Sequence, residues 1–356
     1  MQEFIPNNLP YDQDLETKDI LKQSILANKA LAELKGVSGT IPNQAILINA
    51  LSLQEAKDSS EIENIITTHD ELYQALITQD HIPAQTKEVQ SYSDALYYGF
   101  DKVLENKLLL TKDIIKMQQI IKQNDAGVRK QSGTVLSNQQ TGEVTYIPPQ
   151  DEKTINELLT NLERYINDAT LQEIDPLIKM AIIHYQFESI HPFYDGNGRA
   201  GRIINILYLV LNDLLDLPIL YLSKYIIRTK STYYRLLEEV RTKDALEEWV
   251  MYILKGIEET AKEEIKLIQN IKILMDDTKN KIRTELPQIY SKDLLETLFV
   301  HPYTKIAFLE DTLGIHRTTA SNYLKQLENI GILEGKKLGR SLYCINTKLY
   351  KLFKEG

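Results

Sequence analysis

The chain has 356 residues, which at about 150 residues per domain suggests two or three domains. Hydrophobic residues make up 43% and charged residues 26%, values of ordinary globular proteins that exclude disordered, collagenous and purely coiled-coil readings. The net charge of −9 argues against a chain that coats nucleic acid, yet residues 301–356 hold nine Lys/Arg against five Asp/Glu, so a small basic module follows an acidic body. A single cysteine, Cys344, excludes an intramolecular disulfide and a multi-thiolate metal site, and fits a reducing, cytoplasmic setting. The N-terminus lacks a basic and an apolar signal region, and runs such as Ile206–Leu211 fall far short of the roughly 18 residues that span a bilayer, so neither a secretion signal nor a membrane span is expected.

Along the chain, helical periodicity dominates and no internal repeat of useful length is found. Residues 127–149 are the exception. There Thr134-Val135-Leu136 and Val144-Thr145-Tyr146 flank a polar, glycine-containing turn, which predicts a β-hairpin ended by Pro148-Pro149. From Leu246 to Thr284 the spacing of Ile268, Ile271, Met275 and Ile282 predicts a long helix that bridges the body to the tail, with Pro287 marking the boundary.

The most informative segment starts at Asp175, which can cap a helix with Pro176 in its first position. That helix is apolar on nearly every side and ends in His-Pro-Phe-Tyr-Asp-Gly-Asn-Gly-Arg-Ala-Gly-Arg, residues 191–202, before a second buried helix. The loop between them has the parts that hold a polyphosphate. Gly196-Asn197-Gly198 lets the backbone turn and present N–H groups at a helix start, where the dipole favours anions. Arg199 and Arg202, three apart, can clamp phosphate oxygens, and Asp195 is a hard oxygen ligand suited to magnesium. His191 can accept a proton near neutral pH. Taken alone, a glycine-rich turn is more often a plain connection and a histidine at a helix end more often a cap; packed into twelve residues between apolar helices, the set is hard to explain structurally. A metal shared by His184 and His191 fails on distance, since seven helical residues separate them by about 10 Å. His184 is expected in the core.

These twelve residues resemble the Fic family signature HPFxDGNGRxxR at every defined position, and the resemblance extends over roughly residues 40–260. It implies a mainly α Fic fold and transfer of AMP from ATP to a protein hydroxyl. His191 would deprotonate the target Ser, Thr or Tyr, Asp195 would hold Mg2+, the backbone of Gly196, Asn197 and Gly198 would cradle phosphates with Arg199 beside them, and Arg202 would grip the γ-phosphate. The hairpin matches the position of the family's flap, which holds a target segment by strand addition; read by itself it is equally a structural hairpin. Tyr233 and Tyr234 resemble positions lining the adenine pocket, although aromatics on a helix are more often core. Ser59, Glu63 and Asn64 resemble the family's inhibitory motif [S/T]xxxE[G/N], in which Glu63 would pair with Arg202 and misalign ATP. Without the resemblance, a solvated acidic helix is the plainer reading.

In the tail, Ile306–Leu313, the turn Gly314-Ile315 and His316–Ile330 read as helix, turn, helix, and Ile332–Ile345 as a hairpin, which looks like a winged helix-turn-helix. Arg317, Thr318, Thr319 and Ser321 open the second helix, while Lys336, Lys337 and Arg340 on the wing suit phosphates. The alternative is a protein-docking or dimerisation module, and a homodimer stays open. The expected division is an N-terminal helical region, 1–110, with the inhibitory helix near 55–67, then a Fic core, 111–260, with its flap at 127–149, a helical linker, 261–286, and the winged helix-turn-helix, 287–356. The leading expectation is a self-inhibited protein adenylyltransferase. The alternatives are a DNA-binding regulator whose Fic body senses nucleotide, and a bifunctional enzyme that also removes AMP.

Overall fold

The computed structural model describes residues 2–77, 82–137, 142, 144–338 and 341–355. The body contains α1 (Lys18–Ser38), α2 (Ala45–Ile62), α3 (His69–Ile77), α4 (Ala84–Asn106), α5 (Thr111–Lys122), the strands β1 (Leu136–Ser137) and β2 (Val144–Tyr146), α6 (Glu152–Asn167), α7 (Pro176–Ile190), α8 (Asn197–Leu211), α9 (Ser223–Arg228), α10 (Lys230–Lys243) and α11 (Leu246–Glu285). The tail adds α12 (Lys292–Val300), β3 (Tyr303–Thr304), α13 (Ile306–Leu313), α14 (Arg317–Asn329), β4 (Glu334–Leu338), β5 (Ser341–Ile345) and α15 (Thr347–Glu355). Among the described residues no helix is long and apolar enough to cross a membrane.

The core is built round α7 and α8. The Asp175 carboxylate caps α7 by accepting from the Leu177 N–H at 2.8 Å, with Pro176 behind it as expected. Of the fifteen residues of α7, Pro176 and Glu188 alone escape full burial, which is why its sequence shows no polar face. α4 packs closely on α5 and α8 because Gly99 sits at the crossing: a Cβ there would lie 2.5 Å from Leu207 Cδ1 and Met117 Sδ. α11 crosses behind, and the Trp249 indole donates to the Ala181 carbonyl of α7 at 2.8 Å. α11 runs unbroken through residues 260 and 261, burying Ile257, Ala261, Ile265 and Ile268 against the body, so the end of the expected core and the expected linker are one element.

The hairpin forms, two residues later on its first strand than the β-branched residues suggested: Leu136 pairs with Tyr146 and Ser137 with Val144, antiparallel. Residues 138–141 and 143 of the expected flap lie outside the described residues, as does the wing residue Arg340. The N-terminal segment runs along the hairpin's exit, where the Phe4 N–H donates to the Ile147 carbonyl at 2.9 Å.

The tail forms a three-stranded antiparallel sheet in the order β3-β5-β4, together with α12, α13, α14 and α15. Cys344 is buried in β5, a small core residue. The module is pinned to the body at the elements on either side of residue 63. Tyr73 of α3 is 1% exposed and stacks on Tyr303 at 5.8 Å, the Tyr303 hydroxyl donates to Asp70 at 2.6 Å, and Gln54 of α2 donates to the Phe353 carbonyl at 2.5 Å.

Candidate active site

His191 follows α7 as its C-cap, at φ 48° and ψ 59°, with its N–H returned to the Phe187 carbonyl at 3.0 Å. A non-glycine residue in the left-handed region costs roughly 1–2 kcal/mol, so the surroundings must hold it there. Burial first, and then the nearby Arg129 guanidinium, push the imidazole down to about 4, against the opposing pull of the Glu188 carbonyl and Asp195. The ring is therefore neutral at pH 7 and able to accept a proton.

Asn197 shapes the following loop. It is 2% exposed; its Oδ1 accepts from the Phe193 N–H and its Nδ2 donates to the Phe193 carbonyl, both at 2.8 Å. Its side chain is thus committed to the turn, which leaves its main-chain N–H for an anion. Gly196 adopts φ 81°, a conformation that suits glycine, and its own N–H donates to Asp195 Oδ1 at 2.6 Å; α8 starts after it, where the first-turn N–H groups have no carbonyl within the helix to bond. At Gly198 a Cβ would meet Glu63 Oε1 at 2.7 Å and Arg202 Nη1 at 2.9 Å, so any side chain there would push these two groups off their positions.

Of the three residues that resemble the inhibitory motif, Ser59 and Glu63 meet the arginines of this turn, whereas Asn64 accepts from Lys230 at 3.4 Å. α2 ends at Ile62, earlier than the expected helix near 55–67, with Glu63 as its C-cap and Asn64 left-handed at φ 63°, a role asparagine tolerates. Glu63 Oε1 accepts from Arg202 at 2.9 Å, and Oε2 accepts from Arg199 Nε at 2.7 Å, a contact that no motif spacing marks. Ser59 holds Arg202 from the other side, its Oγ accepting from Nε at 2.7 Å and its carbonyl from Nη2 at 2.8 Å. Arg199 and Arg202 are 0% and 2% exposed, so both cations depend on these partners.

Two further residues complete the network. Glu88 of α4 accepts from Arg199 Nη1 at 2.7 Å and from Lys122 of α5 at 2.5 Å, and Lys122 reaches Asp195 at 2.7 Å. Burial opposes ionisation of Asp195, but Lys122 and Arg199 outweigh it and hold the carboxyl below its ordinary value. Neither Glu88 nor Lys122 belongs to a motif, and no spacing connects them to the loop. Glu188 also escaped the sequence reading, although it lies one turn before His191 on α7. Burial raises its carboxyl to about 7, Oε1 has no hydrogen-bond partner among the described residues, and Gly201 leaves the room it occupies.

Tyr233 is 2% exposed, its hydroxyl 2.9 Å from Nε2 of the fully buried His184. Tyr234, edge-on to it at 5.2 Å, is 48% exposed and is the ring of the pair available to a ligand. No group of three or more His, Cys, Asp or Glu side chains among the described residues is placed to hold a metal ion.

Residues 108–209, which contain this loop, match the profile described as Fic/DOC family; residues 21–101 match Fic/DOC family N-terminal, and residues 274–349 match the C-terminal domain of SoFic-like protein adenylyltransferases. The chain carries Fic/DOC family domains. It is 28% identical over 185 residues to protein adenylyltransferase fic-1 of Caenorhabditis elegans, covering 48% of this chain and 33% of that protein. It is 30% identical over 186 residues to a probable protein adenylyltransferase of Aquifex aeolicus, covering 50% and 54%. The chain therefore spans a third to about half the length of these relatives. In fold it resembles a Fic family protein of Desulfovibrio desulfuricans with TM-score 0.59 at 19% identity, over 94% of this chain and 97% of that one. A solved structure of part of C. elegans Fic-1 gives 0.55 at 20% identity, over 70% and 74%.

Proposed function

We propose that the chain is a self-inhibited protein adenylyltransferase that moves AMP from ATP to a Ser, Thr or Tyr hydroxyl of a protein target. The observation that carries this reading is Glu63 bridging Arg199 and Arg202 over the phosphate loop, 2.7 and 2.9 Å away. A cation pair beside free helix N–H groups fits a polyphosphate, and a carboxylate seated on that pair competes with it. The target oxygen attacks the α-phosphorus, the bond to the β-phosphate bridging oxygen breaks, and pyrophosphate leaves. His191 takes the hydroxyl proton, and its neutrality at pH 7 suits that role. The α8 N–H groups and Arg202 stabilise charge on the leaving phosphates, and Tyr234 offers a face to the adenine. A target segment lies as an added strand along the hairpin, which reads backbone more than side chain.

Asp195 fits Mg2+ brought with ATP better than a resident ion, being a single half-exposed carboxylate beside the phosphate site, where magnesium keeps substrate and water ligands. Such an ion would neutralise phosphate charge, and Lys122 must yield Asp195 to it. Incubation with target-containing lysate and ATP labelled at either the α- or the γ-phosphate tests the reaction: protein label is expected from the α-position only. Label from the γ-position would indicate a kinase instead.

The helix and strand order of the tail supports a winged helix-turn-helix, and the exposure of Arg317, Thr318 and Ser321 at the start of α14 and of Lys336 and Lys337 on β4 supports DNA contact. For three phosphate contacts, affinity in a gel shift should fall roughly 40-fold between 50 and 200 mM salt. The Lys336→Ala/Lys337→Ala variant should bind more weakly, and undetectable binding at low salt would assign the tail to protein docking. The buried, lone Cys344 supports a reducing, cytoplasmic setting.

A further inference from the structure

Arg129 stands at the root of the hairpin and is 0% exposed. It belongs to none of the motifs, and the chemistry above does not use it. A guanidinium is taken that far out of water at high cost unless its donors are filled. One edge of this one is filled by carbonyls from two separate segments. Nε donates to the His191 carbonyl at 2.8 Å, and Nη2 donates to the Pro149 carbonyl and, at 3.5 Å, to that of Ile190. The Arg129 main-chain N–H donates to the Pro192 carbonyl at 2.9 Å, and Val128 bridges Phe193. Thus one residue holds the carbonyls of three successive residues, Ile190, His191 and Pro192, and that of Pro149, the last residue of the flap.

Other contacts join the same two parts. The Tyr146 hydroxyl of β2 donates to the Ser189 carbonyl in the last turn of α7, and the Tyr194 hydroxyl accepts from the N–H groups of Lys130 at 2.9 Å and Gln131 at 3.3 Å. A cation over the C-terminal carbonyls of α7 also complements the helix dipole there. Held so, the left-handed His191 has little freedom to relax toward ordinary backbone.

We infer that Arg129 is a positioning residue that locks the His191 turn to the flap, so that a target strand laid on the hairpin and the base that deprotonates it share one rigid frame. This rests on the adenylyltransferase reading. Strand addition fixes where the target hydroxyl lies relative to β1 and β2, and Arg129 converts that into a distance to His191.

The test uses the full chain in the Glu63→Gly background and compares Arg129→Met with Arg129→Lys. In Arg129→Met, kcat for AMP transfer should fall on the order of 10- to 100-fold, as for a displaced catalytic group, while ATP affinity by calorimetry stays at the parent value. Arg129→Lys should also lose kcat, because a point charge cannot span His191 and Pro149 together. The acid limb of the kcat/KM profile separates the two. It should move to higher pH in Arg129→Met, which removes a cation beside His191, and stay in place in Arg129→Lys. The other groups acting on His191, namely the charges of Asp195 on its own loop and Arg241 on α10 and the main-chain carbonyl of Glu188 on α7, are common to both variants. Hydrogen exchange should accelerate together at residues 144–147 and at His191 and Phe193, with α11 unchanged. Full kcat in Arg129→Lys, a loss explained by ATP affinity, or faster exchange in only one of the two segments would overturn the inference. Loss of α11 protection in Arg129→Met would mark global unfolding and leave the decision to Arg129→Lys. If the Glu63→Gly parent itself transfers no AMP, the adenylyltransferase reading fails, while the exchange result still decides whether flap and turn are coupled.

Discussion

Glu63→Gly should raise AMP transfer on the order of 10- to 100-fold. A charge-assisted hydrogen bond contributes about 1.5–3 kcal/mol, and each 1.36 kcal/mol in a barrier is a factor of ten. The carboxylate occupies the donors of two arginines at once, at 2.9 and 2.7 Å, so ATP must displace both bonds to seat its terminal phosphate. Removal also leaves Arg202, 2% exposed, with Ser59 alone among these partners, while Arg199 keeps Glu88. The variant should therefore melt lower than the parent without nucleotide and gain more from ATP, since a ligand that binds the folded state stabilises it by mass action.

Arg202→Ala must not mimic this result. It breaks one half of the lock but also deletes a phosphate donor, and Glu63 remains tied to Arg199. Activity should stay low. Opposite signs in the two variants separate inhibition from simple destabilisation, which would lower both. If Glu63→Gly stays folded by circular dichroism and thermal melt yet loses activity, the inhibitory reading falls and Glu63 becomes a candidate for AMP removal.

The parts of this site that were legible in the sequence are those in which local chain chemistry fixes position. The Asp175-Pro176 start, the two apolar helices and the loop between them lie within about forty residues, and the loop's glycines and arginines can be assigned from backbone geometry alone. Glu63 is accessible through a motif resemblance, but its second bond, Oε2 accepting from Arg199, is not, because that depends on α2 ending at Ile62 and presenting Glu63 past the last turn. Glu88, Lys122 and Arg129 come from three other segments, and each contributes one long side chain whose direction is set by tertiary packing. Nothing in their own windows marks them. The tail illustrates the same limit: α13, α14 and the hairpin are readable in order, α12, β3 and α15 are not, and its seat on Tyr73 and Asp70 is a contact between residues more than two hundred positions apart.

That seat changes what truncation tests can mean. α2 and α3, which flank Glu63, bury side chains against both the Arg202 side of the loop and the tail. Deleting the tail would uncover Tyr73 and alter the support of α2, so a changed rate in a truncated chain would report on the placing of Glu63 as well as on recruitment. Point variants at the exposed Lys336 and Lys337 avoid this confusion.

His191→Ala should lower AMP transfer on the order of 10² to 10⁴-fold, the usual cost of losing a general base, with ATP affinity by calorimetry unchanged. The separation is expected because the parts of the anion site are independent of the imidazole: the α8 N–H groups follow Gly196, the turn is stapled by Asn197, and Arg202 is held by Ser59. The pH profile of the parent carries the same assignment with a definite sign. A histidine depressed to about 4 stays deprotonated well below the ordinary value near 6.5, so the base itself causes no loss of rate between pH 7 and 5.5 and a steep loss only as the pH approaches 4. An ordinary histidine would already have lost about half its activity near 6.5. The residual rate of His191→Ala should lack this acid limb. Transfer by His191→Ala at the parent rate, or an acid limb that persists in it, would remove His191 from proton transfer and leave the loop as a nucleotide-binding site without a base.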